Sequence, residues 1–191
     1  MPSGIKTRTS GIMVNVNVTP SQTSTIVFGP VNTLGGNDDF ANQTLVQPIG
    51  PSFLTAATGT QARFTVQMGV TFANLTTITS YFGQKGVGLQ DFTGNQVQIL
   101  FGGINLIGDG GADRTFVSDW ITLGEAWDAT QAYILAAQIT VASGGFAFDD
   151  TIPGGPTSYF KAGADAATTT KSGYGGNRTT VFEFIKQIEV R

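Results

Sequence analysis

At 191 residues, with a formal net charge of −3 and neither histidine nor cysteine, the chain lacks the side chains that do most acid–base, thiolate and zinc chemistry near neutral pH, so a structural or binding role is expected over an enzymatic one. Its ten lysines and arginines are scattered, with none between Arg8 and Arg63, which argues against the concentrated positive surface that nucleic-acid binding needs. A hydrophobic fraction of 40% with 14 phenylalanines fills a core of one domain, and no stretch approaches the roughly 20 apolar residues of a membrane-spanning helix.

Residues 1–10 predict an extended arm carrying Lys6 and Arg8 and no acidic residue, ahead of a single β-sandwich domain over 11–191. No apolar run of about seven or more residues stands behind these two cations, so the expectation is synthesis in a host cytoplasm without a signal peptide. The sequons at Asn17, Asn42, Asn74 and Asn177 are then by-products of a Thr- and Asn-rich composition. Ile12, Val14, Val16 and Val18 alternate with polar partners and predict the first half-buried strand. Strand-like runs follow at 25–28 and 40–46, then at Phe64, Val66, Met68, Val70 and Phe72, and again at 76–82, 96–101, 115–123, 133–141 and 145–148. Gly, Pro and Asn separate most of them, as in Gly29-Pro30, Gly35-Gly36-Asn37 and Gly94-Asn95. Residues 151–177, rich in Gly, Ala, Thr and Pro, predict a long irregular loop for a subunit or partner contact, with at most one helical turn at 162–167. The final strand alternates Phe182, Phe184, Lys186, Ile188 and Val190 against Val181, Glu183, Ile185, Gln187 and Glu189. Many short strands broken by turn residues argue for an all-β antiparallel sandwich or barrel.

Candidate chemistry is sparse. The acid doublets Asp38-Asp39 and Asp149-Asp150 flank Phe40 and Phe148 and read as solvated turn acids rather than a glycosidase pair. Asp109 and Asp113 bracket a Gly-rich segment superficially like a calcium loop, but without a third acid or a terminal glutamate it reads as a tight turn. No metal, no cofactor and no catalytic residue is expected. Aromatic side chains are better candidates, because the apolar face of a sugar ring fits an aromatic plane. Trp120, in a strand-like run, is assigned to the core. Trp127, in a turn, and Tyr159 and Tyr174, in the long loop, are the expected exposed glycan platforms.

In overall character, a Thr-, Gly- and Asn-rich β pattern with an arm and no catalytic set, the chain resembles bacteriophage virion accessory proteins of jelly-roll type: capsid decoration, head-fibre and tail-associated proteins. The segments Trp120-Ile121-Thr122, Trp127-Asp128, Tyr133-Ile134-Leu135 and Phe184 to Val190 are similar to the closing strands of carbohydrate-binding jelly rolls, which often carry an acid where this chain has Lys186 or Gln187. The first resemblance implies a homo-oligomer, trimer favoured, located in the virion and partnered by proteins such as the major capsid protein. From the scattered cations and the lack of a long apolar run, no contact with nucleic acid or membrane is expected. A carbohydrate-binding module or receptor-binding tip for surface glycans, and a single jelly-roll capsid protein, are the alternative expectations.

Overall fold

Alternation of apolar and polar residues translates directly into strands in the computed structural model of the chain, which describes residues 22–29, 38–39, 42–67, 76–108, 115–139, 145–146, 148–149, 156–178 and 182–191. In chain order these are β1 (Thr25–Phe28), β2 (Asp38–Asp39), β3 (Gln43–Ile49), β4 (Gln61–Gln67), β5 (Thr76–Gln84), β6 (Val97–Ile99), β7 (Leu106–Gly108) and β8 (Thr115–Val117). They continue with β9 (Ile121–Thr122), β10 (Tyr133–Ile139), β11 (Gly145–Phe146), β12 (Phe148–Asp149), β13 (Ser158–Ala162), β14 (Gly175–Arg178), β15 (Phe182–Glu183) and β16 (Ile185–Val190). A single 3-10 turn at Pro51–Phe53 is the only helical element among the described residues, and no helix there is long and apolar enough to cross a membrane. The arm at 1–10, the strand expected at 12–18, and Asp109 with Asp113 lie outside the described residues.

Two antiparallel sheets carry the fold. The first runs β1-β16-β4, with β8 and β9 end to end along the far edge of β4; the second runs β14-β13-β3-β10-β5, with β6 and β7 sharing the far edge of β5. The sheets pack face to face as a β-sandwich. Phe64 of β4 meets Phe82 of β5 at 4.8 Å between ring centroids, and Leu45, Ile78, Ile99, Leu135 and Ile188 are fully buried around them. Two short ribbons, β2 with β11 and β12 with β15, complete the pairing. Asp38, Asp39 and Asp149 therefore lie in short paired segments rather than in turns, because backbone partners from distant sequence reach them.

The irregular region expected near 151–177 is narrower than its composition suggests. Part of it forms the hairpin β13–β14, whose first strand pairs with β3 from Tyr159↔Val46 to Ala162↔Gln43; pairing with β13 then overrides the weak local propensity of the Gly-rich β14. No helical turn forms at 162–167. The remaining loop, 163–174, folds over the outer face of the second sheet. There it covers a second apolar cluster of Val46, Phe92, Ile134, Ala136 and Ala166, flanked by Tyr81 and Tyr174. This explains why β10 is apolar on both sides, with Ile134 and Ala136 outward and Leu135 and Ala137 inward, all fully buried.

The last strand also departs from simple alternation. Phe184 adopts φ 66, separating β15 from β16, and a register shift lies between Ile185 and Gln187. The extra residue of this bulge lets both Phe184 and Ile185 reach the core and turns Lys186 and Gln187 outward together.

Candidate functional site

Of the expected platforms, Trp127 is in the core, 5% exposed. Its ring stacks on Tyr133 at 4.5 Å and an interplanar angle of 7°, and Tyr133 stacks in turn on Phe82 at 5.1 Å and 6°. The indole Nε1 donates to the Thr55 carbonyl at 3.3 Å, and the Trp127 amide donates to Gly59 at 2.9 Å. A turn residue is thus drawn inward because its large apolar ring closes one end of the sandwich while its polar edge finds a backbone acceptor. The Tyr133 hydroxyl accepts the Asp128 amide at 2.8 Å, and burial raises its pKa above that of a free tyrosine.

Tyr159 and Tyr174 lie on the opposite side of the second sheet from Trp127, so the three residues do not form one surface. Tyr159 is a strand residue, half-buried and in register with Val46. Tyr174 packs on the second apolar cluster, and Lys161 Nζ stands 5.6 Å from its ring centroid. Burial first, and then the charge of Asp165, pushes the Tyr174 hydroxyl far above its ordinary pKa.

The loop that brings Tyr174 there is fastened by Lys171, which is 6% exposed. Its ammonium donates to the carbonyls of Asp165 (2.6 Å), Ala166 (3.2 Å) and Thr168 (2.8 Å) and lies 5.1 Å from the Phe92 ring centroid. Burial pushes its pKa down to about 8, against the pull of Asp165 and Asp91. Thr44 Oγ1 donates to the Gly163 carbonyl and accepts from the Asp165 amide, while Lys161 pairs with the Asp165 carboxylate at 3.2 Å. Every donor of this lysine is committed to loop architecture.

A different aromatic is presented to solvent. The run from 115 to 123 is interrupted after Val117, where Ser118 Oγ accepts the Phe64 amide at 2.8 Å and donates to the Asp119 carbonyl at 2.8 Å. The Asp119 carboxylate then accepts the amides of Gly102 and Gly103 at 3.1 and 2.7 Å. Both glycines have positive φ, 63° and 80°, as a tight two-residue hairpin turn requires. This break removes Trp120 from the core position that uninterrupted alternation predicts. It is half-buried, with the guanidinium carbons of Arg63 and Arg191 at 4.7 and 4.2 Å from its ring centroid.

Around it, β4 and β16 place polar residues on the outer face of the first sheet. Arg63 and Glu189 are cross-strand partners joined by an ion pair of 2.8 Å, and Ser24 adds a hydrogen bond to the same carboxylate oxygen at 2.9 Å. Burial acts to raise the Glu189 pKa, but these donors outweigh it and hold the carboxylate below the usual glutamate value. Arg191 differs: its Nε donates to Gln61 Oε1 at 3.0 Å, and no acidic side chain among the described residues forms an ion pair with it. Its backbone is clamped by Gly59, where any Cβ would strike the Arg191 carbonyl, and by the amides of Thr60 and Gln61 at 3.1 Å.

Beside Arg191 opens a shallow groove of about 460 Å³, lined by Gln22, Thr60, Gln61, Thr122 and Arg191 with the small residues Gly59 and Ala126. None of these residues stands out in the linear sequence. Alternation on β4 is the one available signal, since it sends Gln61 and Arg63 to the same face. Among the described residues no three metal-ligating side chains cluster. Neither a protein-family model nor a curated protein sequence matches the chain.

Proposed function

We propose that the chain is a non-enzymatic structural protein of a phage particle: a homo-oligomer, with a trimer expected, that decorates the capsid or builds a fibre and thereby stabilises the shell or mediates attachment. The observation that carries this reading is the strand order. The chain shuttles between sheets so that β1-β16-β4-β8/β9 faces β3-β10-β5-β6/β7, the first described strand beside the last, with the hairpin β13–β14 added outside β3. That order supports a jelly roll, an architecture used by viral capsid and lectin domains. Fold does not select function, so composition contributes the remaining argument. A glycine-rich chain without histidine or cysteine, whose first ten residues are expected to form a polar arm, suits a part that works by shape and gains order from its neighbours.

Light scattering of the purified chain across a concentration series tests the proposal. The expected result is a closed trimer that co-sediments with capsid shells. Removal of residues 1–10 is expected to reduce assembly while leaving the melting temperature of the subunit nearly unchanged. A monomer at every concentration that binds no shell overturns the reading.

A further inference from the structure

We propose that the groove beside Arg191 is a binding site for a carboxylate-bearing saccharide. The guanidinium supplies the fixed charge: Gln61 anchors its Nε, Trp120 backs it at 4.2 Å, and no acidic side chain among the described residues pairs with it. This contrasts with Arg63, whose charge is consumed by Glu189. Among the described residues no hydrogen bond engages the terminal amino groups of Arg191, whose planar fork matches a carboxylate bidentately.

The rest of the lining consists of the amides of Gln22 and Gln61 and the hydroxyls of Thr60 and Thr122, which donate to and accept from sugar hydroxyls. Among the described lining residues the apolar ones are Gly59 and Ala126. An acidic peptide segment would want an apolar or aromatic pocket for an anchoring side chain, and none of the described lining residues forms one. Its volume of about 460 Å³ lies within the range of small-ligand sites. Trp120 is a positioning residue here, holding the guanidinium rather than forming part of the groove wall.

Amide resonances of the full chain, followed by NMR on titration with a galacturonic acid disaccharide, test the site against two controls: the neutral galactose disaccharide and a tetraglutamate peptide. The acidic disaccharide is expected to shift Gly59, Thr60, Gln61 and Thr122. Binding should weaken about tenfold or more for the neutral sugar, and equally for Arg191→Gln. Trp120→Phe, which keeps a ring behind the guanidinium, should retain most of the affinity that Trp120→Ala loses. Should Arg191→Gln fail to fold, Gln22→Ala, at an exposed position, must weaken binding in its place. Absence of shifts at millimolar disaccharide, unchanged binding by Arg191→Gln, or tetraglutamate binding as tightly as the sugar each overturns the proposal.

Discussion

Trp127 shows how far one side chain can depart from its local surroundings. Its neighbours Gly124, Glu125, Ala126 and Asp128 are all exposed, yet the indole is buried in a three-ring stack with Tyr133 and Phe82. Truncating it removes a large core volume and orphans the Thr55 carbonyl. Trp127→Ala is therefore expected to lower stability by about 3–5 kcal/mol in urea denaturation, whereas Trp120→Ala, half-buried on the outer face, should cost much less. Equal losses for the two variants would contradict this assignment of core and surface. Local composition ranks the two in the wrong order, since Trp120 lies in a strand-like run with Phe116, Val117 and Ile121 whereas Trp127 has only small and polar neighbours. What separates them is Ser118 and Asp119, which interrupt the strand by bonding to Phe64, Gly102 and Gly103.

Among the elements, loop 163–174 is the one whose order depends most on a single group. Lys171 satisfies three carbonyls at once, and Phe92 and Gln96 add backbone and side-chain bonds to Thr169 and Ala167. Lys171→Met keeps much of the side-chain volume but leaves those carbonyls without a donor. A loss of about 1–3 kcal/mol is expected, with faster amide hydrogen exchange confined to 163–174 and to the covered face around Phe92. Exchange unchanged in that loop would show that the apolar cluster alone holds it. The strands were legible from alternation in β4 and from β-rich runs between turn residues in β5 and β10. The hairpin β13–β14 was not, because Gly175, Gly176 and Asn177 have little strand propensity and pair only because β13 already lies along β3.

For the molecule as a whole, stability against acid rests on few carboxylates. Asp165 and Glu189 both titrate below their free values of 3.8 and 4.5, since their hydrogen bonds and cations outweigh the opposing effect of burial. Each contributes stability that is complete above its unfolded value and is lost as pH falls through the lower folded one. The melting temperature should therefore hold down to about pH 5 and fall below about pH 4, with a shallower fall in Glu189→Gln; an identical acid limb in that variant would remove Glu189 from the account. The pairing of β1 with β16 and of β3 with β10 and β13 is non-local, which predicts folding in milliseconds to seconds. Composition and period-two patterning were sufficient to determine an all-β sandwich and many of its core residues, because burial of one strand face is a local property of the chain. Tertiary structure alone decided that Trp127 is core and Trp120 is not, that a Gly-rich stretch adds two strands, and that Arg191 meets Gln61 at the mouth of a groove. Each of these outcomes depends on partners tens of residues away, and pairing at that distance leaves no periodicity for a linear pattern to carry.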